Sequence, residues 1–120
     1  MKVVKRDEVP LLDGGPGEII RELAGLARSN AQRLSLAEVI LRPGGRSLEH
    51  YHRRSEEAYY VLQGQAHLTV GDETRLVGAG DTIVILPGAR HKIVNASPEE
   101  LVMIVVCAPA WRAEDSIYFE

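Results

Sequence analysis

The sequence has one cysteine, one tryptophan and one phenylalanine, and it lacks any long apolar run. With Cys107 alone, no intrachain disulfide can form. The N-terminus, MKVVKRDEVP, lacks the apolar core of a secretory signal, and no apolar stretch approaches the roughly 20 residues needed to cross a bilayer. These absences predict a soluble, cytoplasmic protein that has no membrane partner.

Neither positive nor negative charge dominates the sequence. The 14 basic and 17 acidic residues are mixed along the chain and give a formal net charge of −3. Because no basic stripe is present to neutralise a phosphate backbone, nucleic acid is excluded as a partner. At 120 residues, the chain is long enough for one hydrophobic core and too short for a catalytic domain plus a regulatory one. A single domain is predicted.

What the chain does have, from Ser35 onward, is a series of short apolar and β-branched runs that each end at a turn signal. Runs of this length and spacing are typical of an all-β sandwich or barrel, and Gly71-Asp72 is typical of a hairpin turn. The runs cover residues 36–41, 58–62, 66–70, 74–77, 82–86, 91–94 and 101–107. Before them, residues 1–17 are polar and turn-rich, and residues 18–28 fit either a helix or a strand.

Three of the four histidines fall in two clusters, each just after a glycine-containing turn. On a strand, His50 and His52 share a face, with Cα atoms about 6–7 Å apart, so both imidazoles can converge on one ion. Glu57 can add a carboxylate oxygen from the next strand, and His91 can add a third imidazole. This set of nitrogen and oxygen ligands suits a divalent transition metal (Mn, Fe, Ni, Cu, Co or Zn) better than Ca or Mg.

At these positions the sequence resembles the cupin superfamily, whose two motifs combine spaced glycines with His-x-His, Glu and a later His. The matching residues are Gly44, His50, His52, Glu57 and Gly64 in the first motif and Gly80, Gly88, His91 and Asn95 in the second. One proline of the second motif is replaced by Leu86, which does not affect a ligand position. The spacing to Gly64 selects Glu57 over its neighbour Glu56, which would face solvent.

The resemblance implies an antiparallel jelly-roll β-barrel at residues 35–107, with an N-terminal arm at 1–34 that supplies a strand or helix and a C-terminal tail at 108–120. It implies that one metal ion is bound by His50, His52, Glu57 and His91. It also implies a homodimer, for which the two flanking segments are the natural contact material. Asn95 would then support the site or fix a turn.

Other residues near the motifs allow more than one interpretation. Tyr59 has the same strand parity as Glu57, so it could donate a hydrogen bond or a proton to a bound ligand, or simply fill the core. His67 has the parity of a polar face and is not predicted to bind the metal. Cys107 is interpreted as a small buried hydrophobe, with a reactive thiol as the alternative. Trp111 is expected to pack the tail against the barrel or a second subunit.

Four protein ligands leave one or two coordination positions open for a small molecule. The resulting prediction is a metal-dependent enzyme of the oxygenase, isomerase or lyase type, acting on a small organic acid, a sugar derivative or a phenolic compound. The alternative is a barrel that holds a small molecule or metal without turnover, as a sensor or carrier. A third hypothesis gives the metal a mainly structural role.

Overall fold

The structure, a computed structural model, describes residues 1–120 and consists of eleven strands, two single turns of 3-10 helix and no α-helix. The strands are β1 (Leu12–Asp13), β2 (Glu18–Ala24), β3 (Ser35–Leu41), β4 (His50–His52), β5 (Glu56–Gln63), β6 (Gln65–Val70), β7 (Glu73–Gly78), β8 (Thr82–Ile85), β9 (His91–Val94), β10 (Leu101–Ala108) and β11 (Ser116–Tyr118). The all-β prediction is confirmed. None of the helical turns has the length or apolar character required to span a membrane.

The strands form two antiparallel sheets. Sheet A has the order β1-β2-β3-β10-β5-β8, and sheet B has the order β11-β4-β9-β6-β7. Residues from both sheets form one buried apolar cluster, in which Val61 and Met103 of sheet A are joined with Leu68 and Ile93 of sheet B. The predicted jelly-roll barrel is therefore present, with a closed core at one end and the histidine cluster at the other.

Alternation along β10 shows why these residues form a sheet. Leu101, Met103, Val105 and Cys107 are buried, whereas the residues between them are only half-buried. Successive side chains of a strand point to opposite faces, so the first set forms part of the core and the second set covers the outside of sheet A. Because both sets are apolar, the part of the outer face that β10 forms is also apolar.

The segment at 18–28, which the sequence left open between helix and strand, is a strand over Glu18–Ala24 and a turn over 25–28. Residues Glu18–Ala24 pair with β3, and β1 pairs with β2 in turn, so this part of the N-terminal region extends sheet A. Pairing with β3 satisfies the backbone groups that a helix would have satisfied internally. The alternation places Glu18, Ile20 and Glu22 on the cavity side.

Two motif residues have structural roles at the closed end of the barrel. Gly64 has a φ of 81°, and a Cβ there would collide with the carbonyl oxygen of Glu100. Asn95 is fully buried, and its Nδ2 donates to the carbonyl oxygens of Leu41, Arg42 and Glu99 at 2.7–3.3 Å. Asn95 therefore ties the end of β3 to the loop before β10, and it lies outside the histidine cluster.

Candidate metal centre

Three histidine side chains converge at the open end of the barrel. His50 and His52 lie on β4, and His91 begins the neighbouring strand β9, where it is the direct partner of His50. One nitrogen of each ring lies within 4.8 Å of the corresponding nitrogens of the other two. His52 and His91 are only 3% and 1% exposed, and His50 is half-buried. The pairing of two short strands brings together histidines that are far apart in the sequence.

The second nitrogen of each ring is held by the protein. Nδ1 of His50 lies 2.6 Å from the carbonyl oxygen of Leu48, and Nδ1 of His91 lies 2.9 Å from that of Ala89. A carbonyl oxygen can only accept, so each of these Nδ1 atoms carries the proton and each Nε2 keeps its lone pair. Nδ1 of His52 is paired with Oγ of Ser116 at 3.1 Å. This arrangement holds the three rings by their Nδ1 atoms and leaves their Nε2 atoms without a backbone partner.

Glu57 reaches the same point from sheet A. Its Oε1 lies 3.1 Å from Nε2 of His91, and its Oε2 lies 3.5 Å from Nε2 of His52. Glu57 contacts two of the three histidines and lies outside the group whose nitrogens are all mutually close. Its side chain is buried, whereas that of Glu56 is exposed.

Three atoms at this point are buried without a hydrogen-bond partner: Nε2 of His52, Nε2 of His91 and Oε1 of Glu57. Leaving a buried polar group unsatisfied costs about 1–3 kcal/mol per group. The unpartnered atoms are two imidazole nitrogens and one carboxylate oxygen, which is the donor chemistry of a divalent transition-metal site. The residues present therefore fit a metal ion, which would satisfy all three atoms at once.

The protonation states at the centre agree with this chemistry. Burial, followed by the nearby His91, lowers the pKa of His50 to about 4. Burial alone would raise the pKa of Glu57, but its contacts with His52 and His91 outweigh burial and hold that pKa below its ordinary range. At neutral pH the site thus contains a neutral His50 and an ionised Glu57. No proton has to leave either group before a cation binds.

The side chains of Cys107 and Tyr118 contact Glu57 and His50, respectively. Sγ of Cys107 lies 3.4 Å from Oε2 of Glu57, and burial raises the pKa of this thiol, so it stays protonated and donates. The ring of Tyr118 on β11 stacks on His50 with centroids 5.2 Å apart. Ser116 and Tyr118 were not found from the sequence, because no motif spacing connects the tail to β4. Only their direct pairing with His52 and His50 reveals them.

The carboxylate of Asp115 fixes the loop that leads to Glu57. Its oxygens accept hydrogen bonds from the backbone N–H groups of Arg54 and Ser55 at 2.9 and 3.0 Å, and its backbone oxygen accepts one from Arg53. The side chains of Arg53 and Arg54 are exposed and do not line the cavity described below. The tail therefore positions the loop between β4 and β5.

A cavity of about 340 Å³ opens beside the centre. His52, Glu57, Tyr59 and Cys107 line it. Trp111 also lines it, and its backbone N–H donates to Oγ of Ser35 at 2.9 Å, so this part of the tail lies against the barrel. His67 is exposed, as its parity predicted. The cavity gives a small molecule access to the unpartnered atoms.

Comparison with known proteins decides the family. Residues 37–107 match the cupin domain family. The chain is a cupin. Its sequence is 36% identical, over 100% of its length and 98% of the relative, to an uncharacterized protein of Methanocaldococcus jannaschii.

Solved structures of other cupins have the same architecture. The polyketide cyclase RemF from Streptomyces resistomycificus is 28% identical, with a TM-score of 0.77 over 96% of this cupin and 89% of RemF. The Streptomyces nucleoside dehydratase Pac13 is 21% identical, with a TM-score of 0.82 over 100% of this cupin and 92% of Pac13. Since the identity to Pac13 is low, that likeness concerns the fold alone.

Proposed function

We propose that this cupin is a metal-dependent enzyme in which His50, His52, Glu57 and His91 hold one divalent transition-metal ion. The observation that carries the proposal is the set of buried, unpartnered Nε2 and Oε atoms beside a cavity of about 340 Å³. When bound, such an ion acts as a Lewis acid that polarises an oxygen of the ligand. Mn, Fe, Ni, Cu, Co and Zn all suit this mixture of ligands.

The chain's own residues supply orientation and a hydrogen-bond donor. Burial raises the pKa of Tyr59 well above its ordinary value, and the charges of Glu57 and Glu18 raise it further. The phenol therefore stays protonated, and its Oη can donate a hydrogen bond to a ligand in the cavity. The neighbouring Met103 and Val105 line the same wall and limit its access to water.

Among the predicted reaction classes, this arrangement favours a lyase or isomerase, in which protons move and no electrons are transferred. Protonatable side chains line the cavity, and RemF, at 28% identity, is a polyketide cyclase. A phenolic compound, a sugar derivative or an organic acid remains the substrate class that we propose. An oxygenase is the second reaction class that we propose.

The cytoplasmic location predicted from the sequence also stays a prediction.

The metal site is tested by elemental analysis of the purified protein. We expect about one metal equivalent per chain in the wild type and almost none in a His50→Ala/His52→Ala double variant. The matched control is His67→Ala, because His67 is the fourth histidine and lies on an exposed part of β6. Equal metal content in the wild type and the double variant would contradict the proposal.

Turnover is tested on the metal-loaded protein with phenols, sugar derivatives and organic acids, by liquid chromatography, which separates isomers, followed by mass spectrometry of the products. An isomer or a dehydrated product supports the lyase or isomerase assignment, and oxygen consumption supports the oxygenase. A Tyr59→Phe variant should keep its metal and lose turnover. Binding of these compounds without any product would instead assign the cupin as a carrier or sensor.

We also propose a homodimer. Tyr60, Leu62 and Val84 on the outer face of sheet A are 46–54% exposed, and the half-buried Ile104 lies directly beside Tyr60. Pairing of this face with that of a second copy would remove a contiguous apolar surface from water.

The division of the chain into an arm at 1–34, a barrel at 35–107 and a tail at 108–120 is retained as a proposal.

A further inference from the structure

The hairpin formed by β1 and β2 turns carboxylates toward the cavity. Glu18 and Glu22 flank Ile20 on the same face of β2, and Asp13 lines the cavity from the end of β1. With Glu57, the lining contains four carboxylates and neither lysine nor arginine. The wall that faces the metal centre is therefore acidic. We refer to Asp13, Glu18 and Glu22 as the acidic wall.

The position of Glu18 in this wall is fixed by its surroundings. Its Oε1 accepts a hydrogen bond from the backbone N–H of Gly15 at 2.8 Å, while Oε2 accepts none. The carboxylate rests on Gly14, where a Cβ would collide with Oε1. The glycines thus allow the carboxylate to fold back into the cavity.

The hairpin itself is hydrogen-bonded to the segment between β3 and β4, which leads to His50 and His52. The backbone N–H of Arg46 donates to the carbonyl oxygen of Pro16 at 2.8 Å, and that of Arg42 donates to the carbonyl oxygen of Gly17 at 3.0 Å. A Cβ on Gly15 would collide with the backbone of Arg46. The acidic wall is consequently a fixed part of the cavity and not a loose surface cluster.

The acidic wall and the unpartnered atoms of the proposed metal centre border the same cavity. His52 and Glu57 line the same cavity, each is more than nine-tenths buried, and each has an atom without a partner. The charge of Glu57 also acts on Glu18, whose pKa is raised mainly by burial and further by Glu57. A molecule bound at the centre would therefore lie between the unpartnered atoms and the acidic wall.

The charges around that space determine which molecules fit it. A divalent ion with Glu57 leaves one positive charge at the centre, and the acidic wall opposes it with carboxylates held at low dielectric. Arg28 is the basic residue whose charge acts on Glu22, and it is exposed and outside the lining. A group that lies beside the wall, away from the ion, would meet repulsion if it is anionic, because the lining holds no Lys or Arg, whereas an ammonium group would be attracted.

We infer that the acidic wall makes this cupin select small molecules bearing an amine over neutral analogues, and neutral analogues over carboxylates or phosphates. This inference rests on the proposed metal centre and narrows its substrate class. Among the predicted classes it disfavours the organic acid. Glu18 and Glu22 are the residues that determine the preference.

The test uses the zinc-loaded protein and three catechols of similar size that differ in charge: 3,4-dihydroxybenzylamine, 4-methylcatechol and 3,4-dihydroxybenzoate. Isothermal titration calorimetry gives their dissociation constants. We expect the amine to bind at least about tenfold more tightly than the benzoate, with the neutral catechol between them. In a Glu18→Gln/Glu22→Gln variant this ratio should fall at least about fivefold.

The matched control is Glu99→Gln/Glu100→Gln, because both residues are exposed and lie outside the cavity, so the ratio should not change. If the double variant does not fold, the ratio of the amine and benzoate dissociation constants is compared between the wild type and Glu22→Gln alone. A fall of this ratio in Glu22→Gln supports the charge preference, and an unchanged ratio contradicts it. Failure of the wild type to take up zinc would overturn the proposed metal centre. Zinc uptake with equal affinities, with no catechol binding, or with tighter binding of the benzoate would overturn only the charge preference.

Discussion

His50 and His91 are direct partners across β4 and β9, with ring centroids 4.3 Å apart. In each residue, Nδ1 is hydrogen-bonded to the carbonyl oxygen two residues earlier, at Leu48 and at Ala89. The same local arrangement thus occurs on both strands and orients both Nε2 atoms in the same way. Because the protein fixes these rings itself, a metal ion would bind to a site that is already formed.

Glu57 and its neighbour Glu56 provide a closely matched test of the fourth ligand. Glu57→Gln should weaken metal affinity at least about tenfold, since even the loss of a residue that supports a ligand has an effect of this size. Glu56→Gln should leave the affinity unchanged, because that side chain is exposed. Competition with a chromogenic chelator measures both. Equal affinities of the two variants would show that Glu57 is not a ligand.

Ser116 supports His52 through its hydroxyl group. In Ser116→Ala, Nδ1 of His52 loses its partner, so the ring is held less firmly, and we expect metal affinity to fall about 10- to 100-fold. The same chelator competition detects this loss. Thr82→Ala is the control, because it also removes a hydroxyl group and Thr82 is exposed on β8. Unchanged affinity in Ser116→Ala would mean that β11 does not orient the ring.

Asn95 should matter for stability rather than for metal binding. Asn95→Ala removes the donor for three carbonyl oxygens in and near the barrel core, so we expect the free energy of unfolding to fall by about 2–4 kcal/mol. Urea denaturation followed by circular dichroism gives this value. Asn30→Ala, at an exposed position, should have little effect. A loss of metal without a loss of stability would contradict the assigned role.

The last residue of the sequence is clamped to the segment before β4. Both carboxylate oxygens of Glu120 accept hydrogen bonds from Arg46, and one also accepts from the backbone N–H of Glu49. The bonds to Arg46 are the main reason that the pKa of Glu120 is lowered from 4.5 to about 2. The stabilising effect of this pair is therefore complete above pH 4.5 and is lost as the pH falls through 2.

Arg46→Gln should return the pKa of Glu120 toward 4.5, because the largest cause of its lowering is removed. Nuclear magnetic resonance titration of the Glu120 carboxyl carbon measures it. Arg75→Gln, on exposed β7, should leave it unchanged. If the pKa of Glu120 stays near 2 without Arg46, the clamp does not act as described.

The proposed homodimer predicts a particle of twice the 13.2 kDa chain mass. Tyr60→Glu/Val84→Lys should convert it to a monomer by placing charges on the outer face of sheet A. Leu76→Lys, which alters an exposed apolar residue of sheet B, should leave the dimer intact. Sedimentation velocity distinguishes the two. A wild-type monomer, or a dimer disrupted only by Leu76→Lys, would show that sheet A is not the interface.

The sequence alone was enough to predict the all-β fold and to locate the histidines. Strand parity placed His50 and His52 on one face, because adjacent strand residues necessarily point to opposite sides. Motif spacing selected Glu57 over Glu56, and the burial of the two side chains agrees with that choice. The first inference uses geometry that is repeated locally along the backbone, and the second is what the resemblance to the cupin motif implies.

Only the tertiary structure decided what surrounds those ligands. The segment at 18–28 could be a helix or a strand until pairing with β3 determined the outcome and turned Glu18 and Glu22 into the cavity. The contact of Ser116 with His52 likewise depends on the tail returning to β4. Hydrogen bonds between distant strands determine these positions, and a local sequence pattern does not encode which strand will be the partner. The proposed ligands can thus be recognised from local sequence patterns, whereas the walls of the cavity are set by the folded sheets.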